Sequence, residues 1–262
     1  MTNSLPDRLT KMGWNEIANH LEALLEDAAR DSLSYSAFLD TLLSLEEKGK
    51  ADRALKNRLQ QSRLPQIKTL DNFDFTFQPS LDEKRIRDVI AREFPRDAQN
   101  ILFLGPPGVG KTHLALAITY EMIKKGYRAL CLTSHEFLEK AKEAMEKGDT
   151  KRFVRMLTKT DILLLDEFGF EPMDSHSANL LLQIVAQRYE RGSIIITSNR
   201  SVSEWAEIVG NAALATAILD RLLHHSKAFQ IRGESYRLRE KKKAGFVFKA
   251  TETAVNEENH RS

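Results

Sequence analysis

The chain has 262 residues, of which 42% are hydrophobic and 29% charged, so it can form one large domain, or a small one beside a medium one, around a sizeable core. The sequence argues against a membrane-spanning or secreted protein, because no apolar run approaches roughly 18 to 20 residues and the N-terminus has no signal-peptide stretch. The single cysteine, Cys131, excludes an internal disulfide and a cysteine-rich metal site. We expect a cytoplasmic protein with no membrane partner.

Residues 1–64 are predicted to form a small all-helical domain that binds DNA or a partner. A capping box at Ser4 and Asp7 begins it, apolar residues recur at helical spacing, and the pattern breaks at Asp31–Ser34. The last helix is basic, with seven Lys or Arg residues against one acid between positions 48 and 68. Although the net charge is only +2, such a cluster suits a polyanion, and the alternative is a solvated helix face. The candidate DNA contacts here are Lys50, Arg53, Lys56 and Arg58.

The sequence pattern changes after this helix from helical to irregular, and then to alternating strands and helices. Residues 65–80 begin with Pro65, lack a helical period and are predicted to be an extended connector. A helix is expected at residues 81–94, and short apolar runs then alternate with helices, which predicts an α/β domain over residues 81–249 with a five-stranded parallel sheet between helices. Residues 250–262 are polar and are predicted to be a disordered tail. The predicted strands are Ile101–Leu104, Ala129–Thr133, Ile162–Leu165, Ile194–Thr197 and Ala228–Ile231.

A phosphate-binding loop follows the first predicted strand. Its sequence fits the pattern G-x-x-x-x-G-K-[ST] in full and opens a predicted helix, which is the context that such a loop requires. The glycines allow a tight turn whose N–H groups point at phosphate, and the helix N-terminus adds a positive dipole end. Lys111 is expected to reach the β- and γ-phosphates of ATP, and the Thr112 hydroxyl to hold Mg²⁺. The predicted nucleotide contacts are Gly105, Pro106, Pro107, Gly108, Val109, Gly110, Lys111, Thr112 and His113.

Two later strands are predicted to end beside this loop. The strand Ile162–Leu165 runs into Asp166 and Glu167, and because successive strand side chains point oppositely, the two acids take different roles. Asp166 fits a ligand of Mg²⁺, and Glu167 fits the base that activates the attacking water. If the strand Ile194–Thr197 lies between the other two, Asn199 stands beside the γ-phosphate and that water.

Cations outside the loop are also candidates. Arg221 ends a predicted helix just before the last strand and points away from its own phosphate loop, so it is expected to stabilise the transition state at a neighbour's ATP. Arg200 and Arg237 are weaker candidates for phosphate contact. Residues 134–159 are long for a single crossover and are predicted to form two helices. The seven histidines show no pattern typical of a metal site.

These motifs together resemble those of the AAA+ initiator clade of P-loop ATPases, which includes DnaC-type helicase loaders. Within that clade, the connector Pro65–Phe75 and the segments Ile218–Ser226 and Gly233–Arg237 resemble the IstB-like transposition helpers of insertion sequences. The resemblance covers residues 5–248. It implies an ATPase that uses ATP and Mg²⁺, forms a homo-oligomer on double-stranded DNA and assists an IstA-like transposase.

Two regions depart from the wider AAA+ pattern. Initiator-clade proteins place a DNA-facing element where residues 134–159 lie, so three cations of the second helix become candidate DNA contacts. Residues 232–262 are too few for the usual helical lid and a tail, so the lid is predicted to be reduced or absent. Arg237 is therefore only a weak candidate for the lid arginine known as sensor 2. The three cations are Lys151, Arg152 and Arg155.

Three functions stay open at this point. The first is a transposition helper that binds duplex DNA and a transposase, which the connector and the basic N-terminal helix favour. The second is a replicative helicase loader that acts on single-stranded DNA, although the missing cysteines exclude the zinc-binding type of loader. The third is an ATP-locked scaffold on DNA with little turnover. Glu167 argues against the scaffold, because a protein that does not hydrolyse ATP has no need of a base.

Overall fold

The N-terminal region is helical, as predicted. In the computed structural model, which describes residues 4–243, Ser4 and Asp7 form the expected capping box. The helical conformation is interrupted before the third helix, where Ser34 Oγ accepts the Ala37 N–H and caps the new helix. The three helices are α1 (Leu5–Lys11), α2 (Asn15–Arg30) and α3 (Tyr35–Ser62).

An ion-pair cluster joins α2 to α3. Arg53 donates to Glu16 and, at 2.8 Å, to the buried Glu46. Glu46 also accepts the backbone N–H groups of Glu16, at 2.9 Å, and of Ile17. Burial on its own raises the pKa of Glu46, but the hydrogen bonds from Ile17 and Arg53 outweigh it and hold that pKa below its ordinary value. Arg53 therefore already has two carboxylate partners within the chain.

The α/β region contains the predicted five-stranded parallel sheet, in the order β2-β3-β4-β1-β5. The strands are β1 (Asn100–Leu104), β2 (Ala129–Thr133), β3 (Ile162–Phe168), β4 (Ser193–Ser198) and β5 (Ser226–Gln230). β4 lies between β1 and β3, as expected. Side chains of β1 alternate between two apolar clusters, with Leu102 on one face of the sheet and Ile101 on the other. Because both faces are covered, the strands read as continuous apolar runs in the sequence.

Helices cover both faces of the sheet. They are α4 (Glu83–Ala91), α5 (Lys111–Lys124), α6 (Ser134–Glu146), α7 (Thr150–Thr158), α8 (Ser175–Arg188), α9 (Trp205–Val209) and α10 (Ala212–His224). One cluster is built by α6 to α10 and the other by α4 and α5. The two helices predicted within residues 134–159 are α6 and α7. The helix predicted at residues 81–94 is shorter, because Glu93 takes a left-handed conformation and a 3₁₀ turn follows at Phe94–Asp97.

The N-terminal helices and the connector pack onto this core. Leu59 of α3 lies against the cluster that contains α5, and Arg58 Nε donates to the Ile123 carbonyl near the end of α5 at 3.2 Å. In the connector, Leu70 is buried in the same cluster. The connector is irregular, as predicted, except that Phe75–Phe77 forms a 3₁₀ turn where the sequence predicts extended chain. The boundaries proposed at residues 64 and 80 stay predictions.

A single short helix follows β5 in the described part of the chain. It is α11 (Tyr236–Lys243), which has eight residues. The reduced lid expected from the sequence stays a prediction, because residues 244–262 lie outside the described residues. The Tyr236 N–H donates to the Gly108 carbonyl at 3.0 Å, which places the start of α11 against the phosphate loop. The predicted tail, residues 250–262, lies outside the described residues. Among the described helices, none combines the length and the apolar character needed to cross a membrane.

Candidate nucleotide site

The loop between β1 and α5 is shaped by close contacts that only glycine permits. Gly105 has φ 151° and Gly108 has φ 81°. A Cβ atom on Gly105 would lie 2.2 Å from the Ile231 carbonyl oxygen, and one on Gly108 would lie 2.1 Å from Ser235 Oγ. Any larger residue would push the segment after β5 away from the loop. These glycines therefore serve the packing around the loop as well as its tight turn.

Lys111 lies inside the loop. Its Nζ donates to the carbonyls of Gly105 at 2.7 Å and Pro106 at 2.8 Å, and the side chain is almost fully buried. Burial lowers the pKa of Lys111, attraction to Asp166 opposes that shift, and repulsion by Arg237 adds to it. Arg237 is thus close enough to lower the pKa of Lys111. A phosphate would offer the ammonium a charged acceptor in place of two neutral carbonyls, which makes a stronger bond.

Asp166 meets two threonine hydroxyls at the end of β3. Thr112 Oγ1 donates to Asp166 Oδ1 at 2.9 Å, and Thr197 Oγ1 of β4 donates to the same oxygen. Thr197 Oγ1 also accepts the Glu167 N–H at 3.0 Å. Carboxylate and hydroxyl oxygens are the ligands that Mg²⁺ prefers, so Thr112 and Asp166 fit such an ion. Sequence reasoning assigned no role to Thr197. The available signal was a hydroxyl residue at the end of an otherwise apolar strand.

Glu167 has a strained backbone. Its φ is 58°, and the pairing of β3 with β4, regular up to Leu165, resumes only at Phe168. The regular strand alternation predicted for Asp166 and Glu167 is therefore wrong, because a β-bulge occupies this position. The two acids still differ in environment: Asp166 is half-buried and hydrogen-bonded, whereas Glu167 is exposed and its carboxylate has no partner within the described residues. Left-handed non-glycine residues cost about 1–3 kcal/mol and cluster at functional sites.

Asn199 follows β4 and lies beside the start of the phosphate loop. Ser198 is opposite Leu104 in the sheet, and its carbonyl accepts the Gly105 N–H at 3.2 Å. The exposed Asn199 is the next residue. The structure therefore brings Asn199 to the same edge of the sheet as Asp166 and the loop, which the predicted position of β4 required.

A cavity of about 70 Å³ separates the loop from the connector. His113, a predicted nucleotide contact, lies on its wall: His113 Nε2 is 2.9 Å from the Thr69 carbonyl oxygen, and its ring meets Phe73 edge-on. His113 therefore holds the connector against the loop. The residues that line the cavity are Asn72, Phe73, Asp74, Phe77, Gln78, Val109, Gly110, His113 and Tyr236.

The lid helix α11 closes this cavity from a second side. The ring centroids of Tyr236 and Phe77 are 5.3 Å apart in an edge-on arrangement, and the Arg239 guanidinium lies 4.6 Å from the centre of the Phe77 ring. Mostly apolar walls with a few polar groups are typical of a cofactor pocket. Sequence reasoning missed this pocket, because Phe77 and Tyr236 are far apart in the chain and each looks like an ordinary packing residue.

Arg221 lies at the opposite edge of the sheet. Its guanidinium donates to the Ala217 carbonyl at 2.8 Å, and it lines a small cavity together with Asn100, the first residue of β1. The phosphate loop follows the last residue of β1, and the four steps between the strand ends span about 13 Å at 3.3 Å per residue. The structure thus keeps Arg221 apart from its own loop, as predicted.

The seven cations proposed as DNA contacts fall into two groups. Arg53 and Arg58 are half-buried and bonded within the chain. The other five are exposed and have no ion pair or side-chain hydrogen bond to any described residue, which leaves them available to an external anion. They are Lys50 and Lys56 on α3, and Lys151, Arg152 and Arg155 on α7.

Comparison with known proteins identifies the family. The model of the family described as IstB-like ATP binding protein matches residues 7–244. The chain belongs to this family. A protein of insertion sequence IS5376 from Geobacillus stearothermophilus, named for ATP binding, is 47% identical over 226 residues, which are 86% of this chain and 90% of that protein. A similarly named protein of insertion sequence IS21 from Pseudomonas aeruginosa is 42% identical over 250 residues, or 95% and 94% of the two chains.

Solved structures of replication proteins share the fold. The DnaC helicase loader matches with a TM-score of 0.50 and 27% identity, covering 57% of this chain and 87% of that chain. A DnaA initiator bound to AMPPCP and single-stranded DNA matches with a TM-score of 0.51 and 25% identity, covering 67% and 54%. The predicted AAA+ P-loop fold and IstB-like family are confirmed, and the chain is an ATP-binding protein of the kind that insertion sequences encode.

Proposed function

We propose that this chain is a Mg²⁺-dependent ATPase. The observation that carries the proposal is the meeting of Lys111, Thr112 and Asp166 at one glycine-shaped loop, with Glu167 exposed beside them. Lys111 binds the β- and γ-phosphates, and Thr112 and Asp166 hold the ion. Glu167 accepts the proton of the attacking water, and Asn199 orients that water and the γ-phosphate. A Mg²⁺ ion held by Thr112 and Asp166 would supply positive charge to offset the negative charge that develops on the phosphate oxygens.

We place the base of ATP at the cavity between the loop and the connector. Phe73, Phe77 and Tyr236 give it aromatic walls, and Val109 and Gly110 of the loop form its floor, so a purine there is continuous with phosphates in the loop. Binding of the base therefore involves the connector and α11 as well as the loop itself.

Hydrolysis is shared between neighbouring copies of the chain. Arg221 lies at the far edge of its own sheet, so it can approach a γ-phosphate only if a second copy brings its phosphate loop there. A guanidinium supplied in this way stabilises the charge of the transition state. The proposal accordingly requires a homo-oligomer, assembled in the ATP state.

The oligomer binds double-stranded DNA. The five exposed cations of α3 and α7 have no partners among the described residues, and Lys or Arg side chains of this kind neutralise phosphates. One chain offers few such contacts, so affinity comes from many copies along one duplex. No base-reading motif is present in the sequence, and binding is therefore largely independent of base sequence.

The biological role that we propose is assistance to the IstA-like transposase of a mobile element, in the cytoplasm. Its support is similarity over almost the whole chain to insertion-sequence proteins, whereas the DnaC helicase loader matches only 57% of it. A helicase loader remains the second candidate, favoured by that structural match. A scaffold with little turnover is the third, and the exposed Glu167 carboxylate argues against it.

One set of measurements separates these functions. ATP turnover should be stimulated by duplex DNA, and further by an IstA-like transposase. Stimulation by single-stranded DNA and a replicative helicase instead would identify a loader. Tight ATP-dependent DNA binding without turnover would identify a scaffold.

The DNA surface is tested with charge reversals that spare the fold. Arg53 and Arg58 stay in place because they hold the helices together. In one variant Lys50 and Lys56 become glutamate, and in another Lys151, Arg152 and Arg155 do. Affinity for duplex DNA should fall, and the slope of log affinity against log salt should become shallower by about 0.9 per lost contact. Lys84→Glu with Arg92→Glu, an equally exposed pair at α4, is the control. An unchanged slope in both test variants rules this surface out.

A further inference from the structure

A cluster of two imidazoles and a carboxylate stands at the edge of the sheet opposite the nucleotide. Glu190 lies in the turn between α8 and β4, His224 is the last residue of α10, and His225 leads into β5. The His225 carbonyl accepts the Asn100 N–H at 2.7 Å, which fixes this backbone to the first residue of β1. Because β4 and β5 both pair with β1, the sheet places the turn that contains Glu190 near the end of α10.

The three side chains converge. One possible ligand atom from each lies within 4.8 Å of the others, and His225 Nε2 is 3.4 Å from Glu190 Oε1. Donor atoms on a tetrahedral ion are roughly 3.4 Å apart, given bonds of about 2.0–2.1 Å, so the remaining gap closes by small side-chain rotations. The histidine pattern did not predict this cluster, because Glu190 comes from a separate turn. The expectation from the sequence concerned the spacing of the histidines along the chain, whereas the fold brings two of them beside a carboxylate.

Neighbouring groups hold the rings in place. Tyr189 OH lies 2.7 Å from His224 Nδ1, which leaves Nε2 of that ring as the nitrogen available to an ion. The ring centroids of His224 and His225 are 4.2 Å apart, edge to face, and the Tyr189 ring packs beside both. A hydrogen bond to the second nitrogen is the usual way in which a ligating histidine is oriented.

We propose that Glu190, His224 and His225 bind a divalent transition-metal ion such as Zn²⁺ or Co²⁺. Imidazole nitrogens with one carboxylate suit these ions, whereas Mg²⁺ prefers oxygen ligands, so the cluster is chemically distinct from the proposed Mg²⁺ position at Thr112 and Asp166. Three protein ligands leave a fourth position for water. The bound ion ties the turn after α8 to the end of α10.

The proposal is tested with untagged, nucleotide-free, full-length protein in excess Mg²⁺, which occupies oxygen-rich sites. Titration with Co²⁺ should give one equivalent of tetrahedral visible absorption, which Zn²⁺ then displaces. His224→Gln, His225→Gln and Glu190→Gln should each weaken uptake by about 10-fold or more, and Tyr189→Phe by about 10-fold through loss of the orienting bond.

His135 supplies the matched control, because it is an exposed histidine beside two carboxylates, Glu139 and Glu171, with no second imidazole in its cluster among the described residues. His135→Gln should leave uptake unchanged. His135, Glu190, His224 and His225 are exposed, and Tyr189→Phe removes only a hydroxyl from a half-buried side chain, so thermal unfolding without metal should not change. Absence of a saturable one-to-one signal overturns the proposal, as does a signal that survives His225→Gln or one that is lost in His135→Gln.

Discussion

The two edges of the sheet differ in how their polar side chains are held. At the carboxyl edge, Thr112, Thr197 and Asp166 share hydrogen bonds, and Lys111 is buried in its loop. At the amino edge, Arg221 is half-buried and His224 and His225 are exposed, and these side chains form fewer internal bonds. The side chains of the carboxyl edge are held by bonds within one chain, which suits the binding of a ligand. Those of the amino edge have fewer such bonds, which suits contact with another molecule.

The largest effect should come from the carboxyl edge. Lys111→Ala removes the side-chain cation of the loop, so we expect nucleotide affinity to fall by about 100-fold or more, which is effectively abolition. Fluorescent-nucleotide titration measures it. Lys124→Ala, at the far end of the same helix and paired with Glu121, is the control and should bind normally. Retained affinity in Lys111→Ala would remove the basis for placing phosphate in this loop.

Arg221→Ala tests the opposite edge. Turnover should fall by about 1,000-fold, because a transition-state cation is lost, while ATP affinity of the single chain stays nearly unchanged. Mixing Arg221→Ala with Lys111→Ala protein should restore part of the activity, since one copy brings the loop and the other the arginine.

The matched control for Arg221 is Arg191→Ala, an exposed arginine in the turn before β4. No recovery at any mixing ratio, once co-assembly has been demonstrated, counts against sharing between copies. An equal loss in Arg191→Ala would point to a general effect of charge at this edge.

Glu167→Gln separates chemistry from binding at the carboxyl edge. We expect ATP affinity to be kept and turnover to fall by about 100-fold or more, because the attacking water loses its base. Single-turnover kinetics measures the step directly, and the ATP-bound assembly should accumulate. A variant that turns over at the native rate would show that Glu167 is not the base.

The smallest expected effect concerns Thr197. Thr197→Val removes the hydroxyl that bonds both Asp166 and the Glu167 N–H, so the Mg²⁺ concentration for half-maximal turnover should rise by about 10-fold. Thr197→Ser keeps the hydroxyl and should behave like the native protein. If valine and serine act alike, Thr197 serves only the packing of β4.

Much of the carboxyl edge follows from the sequence because its signals are local. A few consecutive residues are enough to recognise the loop motif, the strand that ends in Asp166 and the strand that precedes Asn199. A parallel sheet then brings the ends of its strands together. The bulge at Glu167 was missed, because a left-handed glutamate leaves no mark in an apolar run that looks regular.

The remaining features depend on contacts between distant segments. The cavity proposed for the base needs the connector and α11 together, and the proposed metal site needs the turn at Glu190 beside His224. Charge clustering is also an incomplete guide. Arg53 belongs to a basic stretch of the sequence, but in the structure it forms an ion pair with a buried glutamate of the same helix. Composition alone does not separate a cation that faces solvent from one that bridges two helices.

The contact between Tyr236 and Gly108 determines how much of the chain must be synthesised before the cavity can form. Synthesis proceeds from the N-terminus, so the phosphate loop and both carboxylates leave the ribosome well before α11 does. Until residue 236 emerges, one wall of the base cavity is missing and the Gly108 carbonyl lacks its hydrogen bond. A nascent chain therefore carries every motif of a nucleotide site and still lacks the pocket. The proposed binding of the base therefore requires that synthesis has passed residue 236.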